Sequence, residues 1–219
     1  MRVVIAGGHG KIARELEGLL SARGDSVAGI VRNPDHAADL AERGAETIVK
    51  DLEDTTPAAL ASDLEGADAV VFAAGAGPGS GVERKFTVDR DAAILLADAA
   101  ERAGVERYVL VSVLGKYAYT AEQLADPVYG PYMDAKMEAE EDVRPRPGLK
   151  TTIVRPGRLT DDPATGRVRI SDRTGRDSVT RADVAGVVLA VLDTPGTIGQ
   201  TFEVVGGETP VTEAVAERA

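Results

Sequence analysis

The feature that most constrains the fold is a regular alternation of short apolar runs with longer amphipathic segments. Seven runs are rich in apolar and β-branched residues, and most are apolar on both faces, which is typical of strands buried in a parallel sheet. The segments between them carry apolar residues at helical spacing, and several end at glycine. The seven runs cover residues 2–6, 26–31, 45–50, 68–74, 107–113, 150–155 and 201–205.

This alternation predicts an α/β protein with a Rossmann-type, doubly wound parallel sheet. Right-handed crossovers between the units give the strand order 3-2-1-4-5-6 with an added edge strand. With 219 residues and 43% hydrophobic content, the chain can build one core, so we expect a single domain over residues 1–219. Irregular segments at 74–85 and 155–179 follow strand ends, where such sheets bind ligands.

Composition excludes several classes of partner and chemistry. The formal net charge is −11 and the acids are spread along the chain, so neither nucleic acid nor an anionic membrane is an expected partner. The chain has no cysteine and only two histidines, so we expect no disulfide and no metal site. No apolar run reaches the ~20 residues of a membrane span, and a strand-like run follows Met1 directly. We therefore expect a cytoplasmic protein.

A glycine-rich segment joins the first apolar run to the first amphipathic segment. Gly7, Gly10 and Ala13 form a GxxGxxA spacing. Glycine permits a tight turn and a close approach of a pyrophosphate to the backbone N–H groups at a helix N-terminus. The ring of His9 could contact a phosphate, but a loop position that faces the solvent is at least as good an interpretation of this histidine. The segment predicts a dinucleotide site with contacts from Gly7, Gly8, His9, Gly10, Lys11 and Ile12.

The end of the second strand indicates which dinucleotide is bound. An NAD site usually has an acid there that binds the ribose hydroxyls, but this chain has Arg32 and no acid before Asp35. A guanidinium can bind a 2′-phosphate through charge-assisted hydrogen bonds. The sequence therefore favours NADP(H), with NAD(H) as the alternative.

The third strand ends in the sequence KDLED. Asp51 could accept a hydrogen bond from the amino group of adenine, and Leu52 could cover the adenine ring. An acid cluster at the start of a helix explains the same residues nearly as well.

Motifs spread from Arg2 to about Val205 resemble those of atypical short-chain dehydrogenases/reductases, the group with NmrA-like and flavin and biliverdin reductase-like proteins. They are GGHGKIA, VRN, KDLED, VVFAAGAG, GVERYVLVSVLG, YMDAK, TTIVRPGRLTDD and VTRADVA. The resemblance implies that an NAD(P) cofactor lies across the C-terminal ends of the strands, and that elements around 156–180 form a small C-terminal substrate lobe. It further implies cofactor contacts from Ala73, Ala74, Gly75, Pro156 and Gly157.

The resemblance also implies a catalytic set. YMDAK places Tyr132 and Lys136 four residues apart, on one face of a helix, and Ser112 ends the fifth strand. The implied roles are a general acid or base for Tyr132 and a hydrogen bond to the substrate oxygen from Ser112. Lys136 would hold the nicotinamide ribose and lower the phenol pKa of Tyr132 from about 10. A Tyr and a Lys four residues apart are also common in helices without catalytic function.

The size of the C-terminal part limits the substrate. Related sugar-nucleotide epimerases and dehydratases have a much larger lobe after the sixth strand, so a nucleotide sugar would lack walls here. The expected function is NADP(H)-dependent hydride transfer to a small or flat acceptor such as a quinone, flavin or carbonyl compound. Two alternatives stay open: a redox-sensing protein that binds NADP(H) without turnover, and an NAD(P)-dependent epimerase-like enzyme. A protein partner or a homodimer also stays open.

Overall fold

The computed structural model describes residues 1–77 and 79–219 of the chain. The strands within these residues are Arg2–Ala6 (β1), Ser26–Val31 (β2), Glu46–Val49 (β3), Ala69–Phe72 (β4), Arg107–Val111 (β5), Lys150–Pro156 (β6), Arg158–Thr160 (β7), Arg167–Ser171 (β8), Ser178–Thr180 (β9), Thr201–Gly206 (β10) and Thr209–Pro210 (β11). Each strand that the sequence predicts is present, although several are shorter than their apolar runs.

The main sheet has the order β3-β2-β1-β4-β5-β6-β10-β8-β11. All pairs from β3 to β10 are parallel, whereas β8 runs antiparallel to both β10 and β11. The predicted order 3-2-1-4-5-6 is therefore confirmed, and the added edge consists of three strands. The chain direction across the sheet reverses at β1, which pairs with β2 on one side and with β4 on the other.

Helices cover both faces of this sheet. The α-helices are Lys11–Ala22 (α1), Ala37–Glu42 (α2), Pro57–Asp63 (α3), Ala92–Ala103 (α4), Ala121–Leu124 (α5), Tyr129–Val143 (α6), Arg181–Leu192 (α7) and Val211–Ala216 (α8). Along β1, Val3 and Ile5 pack with α1 and α7, whereas Val4 and Ala6 pack toward α3, α4 and α6. This alternation follows from the two-residue period of a strand and gives the Rossmann-type core that the sequence predicts.

The segment before α4 differs from the prediction. The amphipathic segment DRDAAILLADAAERAG, residues 89–104, predicts one α-helix, but Lys85–Asp91 forms a π-helix that continues into α4. The wider π-turn places Lys85 and Asp89 in buried positions.

The small lobe lies beyond the C-terminal end of β6. β7 and β9 pair in parallel as a separate two-stranded sheet. Thr180 ends β9 and caps α7, since its hydroxyl accepts a hydrogen bond from the backbone N–H of Asp183 at 2.9 Å. Among the described residues, no helix is long and apolar enough to cross a membrane.

Candidate cofactor and substrate site

The turn between β1 and α1 requires glycine at its first position. Gly7 has a φ of +83°, and a Cβ there would lie 2.6 Å from the Cα of Ala74. Gly10 is the N-cap of α1 and carries no side chain that could occupy the amides of the first helical turn. The positive end of α1 is thus accessible from the groove above the sheet, as an anionic pyrophosphate requires.

Three cavities adjoin one another along the C-terminal ends of the strands. The adenosine-side cavity has a volume of about 310 Å³ and the central cavity about 680 Å³, and both are lined by Gly10, Ala73, Ala74 and Gly75. The substrate-side cavity has a volume of about 510 Å³ and shares Ser112 and Tyr132 with the central cavity. The three cavities together form one groove, at the position where open α/β sheets bind dinucleotides.

The adenosine-side cavity collects the side chains that follow β2 and β3. Arg32, Asp51 and Leu52 all line it, as the sequence predicts for ribose and adenine contacts. The guanidinium of Arg32 is 58% exposed and lies 3.6 Å from the carboxylate of Glu53. Glu53 also accepts hydrogen bonds from Arg84, and this contact lowers the pKa of the Glu53 carboxyl. Because Glu53 is held by Arg84 and the guanidinium of Arg32 is exposed, Arg32 has room to turn toward a phosphate.

The two histidines of the chain meet in this cavity. The rings of His9 and His36 are stacked with a centroid separation of 3.6 Å, and Nε2 of His9 lies 2.7 Å from a carboxylate oxygen of Asp39. His9 is therefore held sideways across the loop, partly exposed, rather than extending freely into solvent. His36 is a lining residue that the sequence reasoning did not select.

Gly8, Lys11 and Ile12 occupy different parts of the glycine turn. Gly8 is buried, and a Cβ there would lie 2.6 Å from the Cα of Gly29 in β2, so Gly8 supports the turn from beneath. Lys11 and Ile12 line the central cavity. Lys11 also forms an ion pair with Asp161 from the small lobe. This pair connects the start of α1 with the substrate side of the groove.

The predicted pair Tyr132 and Lys136 lies in the central cavity on α6. The ammonium of Lys136 is 3.2 Å from the carboxylate of Asp89 in the π-helix. Lys85 lies on the same side, with its Nζ 5.6 Å from the centroid of the Tyr132 ring and a hydrogen bond to the carbonyl oxygen of Gly77. Two buried lysines thus flank the phenol and the acid.

Burial raises the pKa of the Tyr132 phenol above its ordinary value, and the carboxylate of Asp89 adds to this effect. The resemblance implies that Lys136 lowers the pKa of Tyr132, whereas in the structure this pKa is raised. The physical reason is the burial of the phenol, to which the negative charge of the nearby Asp89 carboxylate adds. The phenol is therefore neutral at ordinary pH, and its O–H can donate a hydrogen bond.

Ser112 follows β5 directly and lies between the central and substrate-side cavities. Its hydroxyl is buried and has no hydrogen-bond partner among the described residues. Pro156 and Gly157 line the substrate-side cavity and not the two cavities on the cofactor side. A Cβ at Gly157 would lie 2.3 Å from the carbonyl oxygen of Asp177, so this glycine permits close packing of the small lobe.

Several charged residues that line the groove have no role assigned by the sequence motifs: Lys85, Asp89, Arg84, Glu53, Arg158, Arg176 and Arg181. One feature of the sequence points to Asp89: this charged residue follows Val88 directly and interrupts the apolar pattern before α4. The arginines are spread over loops and strand ends and form no local motif.

The parallel sheet, the glycine turn at its reversal point and the groove above it define a dinucleotide-binding protein. A family model described as NAD(P)H-binding matches residues 7–195, and the chain belongs to this family. The resemblance to atypical short-chain dehydrogenases/reductases is thereby confirmed.

Relatives and solved structures are similar over almost the entire chain. The uncharacterized sugar epimerase YhfK of Bacillus subtilis is 35% identical over 216 residues, which are 98% of this chain and 99% of the relative. A solved structure from Bacillus halodurans, named as a candidate NAD-dependent epimerase/dehydratase, is 35% identical with a TM-score of 0.89 and 99% coverage of both chains. The oxidoreductase ylbE of Lactococcus lactis is 27% identical, with a TM-score of 0.83 and coverage of 99% and 96%.

Proposed function

We propose that the protein is an NADP(H)-dependent reductase that transfers hydride to a flat acceptor such as a quinone, flavin or carbonyl compound. The observation that carries this proposal is the position of the Ser112 hydroxyl. It is buried, lacks a partner among the described residues and lies, with Tyr132, where the cofactor-side and substrate-side cavities meet. A substrate oxygen between these two hydroxyls would receive two hydrogen bonds.

Residues in different parts of the groove have different roles in this proposal. The glycine turn and the N-terminus of α1 bind the pyrophosphate, and Arg32 binds the 2′-phosphate. The bound nicotinamide supplies the hydride. Lys136, held by Asp89 in the central cavity, would donate hydrogen bonds to the ribose hydroxyls. The neutral phenol of Tyr132 donates its proton to the substrate oxygen, while Ser112 orients that oxygen.

The direct test is NADPH oxidation with a panel of quinones, flavins and carbonyl compounds, alongside NADH under the same conditions. Net oxidation with a preference for NADPH is the expected result. Binding of NADPH with no turnover across a broad panel would contradict the proposal and identify a redox-sensing protein.

A second candidate function is epimerisation, favoured by the names of the Bacillus relatives. An epimerase returns the hydride to its own substrate, so it consumes no NADPH. Interconversion of sugar epimers without net change in the cofactor would support this candidate. A protein that copurifies with tightly bound NAD⁺ would point in the same direction.

A further inference from the structure

The substrate-side cavity carries a group of cations that hydride transfer itself does not use. Arg158, Arg176 and Arg181 line this cavity, and Asp177 is the one carboxylate in its lining among the described residues. The whole chain, by contrast, has a net charge of −11. A positive concave site on an acidic protein attracts an anionic ligand and repels a cationic one.

Arg176 is held by neutral groups. Its Nη1 donates a hydrogen bond of 2.9 Å to the side-chain oxygen of Gln123. Its guanidinium carbon lies 5.2 Å from the centroid of the Tyr119 ring. An amide and an aromatic face orient the guanidinium but leave its charge uncompensated, so the charge is available to a ligand.

Arg158 is exposed at the start of β7, and its backbone N–H donates to the carbonyl oxygen of Asp177 at 2.9 Å. The carboxylate of Asp177 accepts a hydrogen bond from the N–H of Ser178 and lies 4.0 Å from the guanidinium of Arg169. The acid of the cavity is therefore engaged with groups other than Arg158.

Arg181 differs from the other two arginines of the cavity. Its guanidinium pairs with Asp161 at 2.6 Å, and it also lines the central cavity. Asp161 also pairs with Lys11, so this one carboxylate is shared between two cations. Among the described residues, Arg158 and Arg176 are the two cations that line only the substrate side.

The rest of the cavity wall suits a flat body. Tyr119 and Tyr129 meet edge to face with ring centroids 5.3 Å apart, and Tyr129 and Tyr132 are 5.7 Å apart. All three rings line the cavity. The unpartnered hydroxyl of Ser112 lies at the end of this wall nearest the cofactor side. Aromatic rings, two uncompensated cations and one open hydroxyl therefore converge on one space.

We propose that the natural acceptor is a planar conjugated compound that carries a carboxylate or phosphate group. The anionic group lies between Arg158 and Arg176, and the conjugated body lies along the tyrosine rings with its reducible end at Ser112. This inference rests on the proposed function and specifies the substrate class of the same site. Guanidinium groups bind either oxyanion with paired hydrogen bonds.

The test uses matched acceptors that differ in one anionic group. One pair is anthraquinone-2-carboxylate and its methyl ester, and the other is FMN and riboflavin. The ratio of kcat/KM within each pair is compared among the wild type, Arg158→Gln and Arg176→Gln. Arg102→Gln, on the exposed face of α4, removes the same charge elsewhere and is the control.

Each cavity variant should lower kcat/KM for the anionic acceptor about 10- to 100-fold, which is typical of losing a hydrogen bond to a charged group. The neutral member of each pair, the affinity for NADPH and the control variant should be unchanged. A loss confined to the quinone pair identifies a carboxylate, and a loss confined to the flavin pair identifies a phosphate. Equal anionic-to-neutral ratios in the wild type and both cavity variants would overturn the inference and leave the reductase proposal intact.

If no acceptor oxidises NADPH, the reductase proposal fails, and calorimetry on the NADP⁺-loaded protein still decides the binding question. Tighter binding of the anionic member that depends on Arg158 and Arg176 would support the anion site. Equal binding of both members of each pair would overturn it.

Discussion

Nζ of Lys136 lies 3.2 Å from Oδ1 of Asp89, and the two side chains are only 6% and 1% exposed. The pair joins α6 to the π-helix across the floor of the groove. The second carboxylate oxygen of Asp89 accepts a hydrogen bond from the N–H of Ala76 in the loop after β4. One buried acid therefore positions the ammonium nearest the expected ribose and fixes the loop beside it.

This pair predicts a strong effect of removing one charge alone. Asp89→Asn keeps an oxygen for the Ala76 N–H but leaves a buried ammonium without its counter-charge. We expect the free energy of unfolding to fall by about 3 kcal/mol. Urea denaturation measures it, and the double variant Asp89→Asn/Lys136→Met should recover part of the loss. A single variant as stable as the wild type would show that the pair contributes little.

The glycine turn allows folding and nucleotide binding to be separated. Gly10 has an ordinary φ of −66°, and a Cβ there would have its closest contact at 3.0 Å, with the carbonyl oxygen of Gly7. Because this φ suits any residue, Gly10→Val should fold, with some loss of stability at the tight contact with Gly7. It should lose both NADPH and NADH, because the side chain enters the space of the pyrophosphate.

Gly7→Ala is the contrasting variant. Its Cβ would meet the backbone of Ala74, and its φ is positive, so we expect a lower melting temperature rather than a selective binding defect. Calorimetry measures binding and circular dichroism measures folding. A folded Gly10→Val protein that binds either nucleotide normally would show that the loop is only a turn.

Cofactor preference should depend on Arg32. Arg32→Ala should weaken NADPH binding by about 1.5–3 kcal/mol, the contribution of a hydrogen bond to a charged group, and leave NADH binding unchanged. Glu53→Gln is the complementary variant, because it removes the carboxylate 3.6 Å from Arg32 and should favour NADPH. Equal losses for both cofactors in Arg32→Ala would contradict the assignment.

Tyr132→Phe should separate binding from chemistry. We expect NADPH affinity to be retained and the rate of carbonyl reduction to fall ~10²–10⁴-fold, as for the loss of a general acid. Because burial raises the pKa of Tyr132, the phenol stays protonated as pH rises, and the wild-type reduction rate should be flat from about pH 6 to about pH 9. Steady-state kinetics across this range measures both effects. Full activity of the variant on an aliphatic ketone would remove the proposed role.

Glu17 predicts how stability depends on pH. Its side chain is fully buried on α1, its oxygens lack a hydrogen-bond partner among the described residues, and burial raises its pKa to about 7, against the opposing charges of Arg14 and Arg43. An unfolded glutamate titrates near pH ~4.3. The folded state therefore holds this proton more tightly. Its contribution to stability is complete below about pH 4.3, falls as pH rises toward 7 and is lost above 7.

Glu17→Gln should remove this loss. The variant should be more stable than the wild type at about pH 8, by roughly 3 kcal/mol, with a much smaller difference at about pH 5. Urea unfolding at a series of pH values measures this difference in the free energy of unfolding, with the exposed Glu65→Gln as the control. Parallel stability profiles for wild type and Glu17→Gln would show that this carboxyl does not titrate as its burial indicates.

The sequence alone determined the parallel part of the sheet from β3 to β10, its strand order and the position of the dinucleotide turn. The sequence signals behind these predictions are local. The period of the apolar residues indicates burial on one or two faces, and the glycine spacing indicates a turn that other residues cannot make. Arg32 and Asp51, predicted from their positions at strand ends, line the adenosine-side cavity because the ends of parallel strands meet at one edge of the sheet.

Only the tertiary structure decided which charges meet. Lys136 and Asp89 belong to different helical segments, and the π-helix turns Asp89 inward although the sequence reads as an ordinary α-helix. Arg158 and Arg176 line the same cavity, and Gly157, beside Arg158, permits close approach to the carbonyl oxygen of Asp177, beside Arg176. Such pairings depend on long-range packing and not on the local pattern. For this reason the pKa of Tyr132 and the charge of the substrate cavity could be read only once the chain was folded.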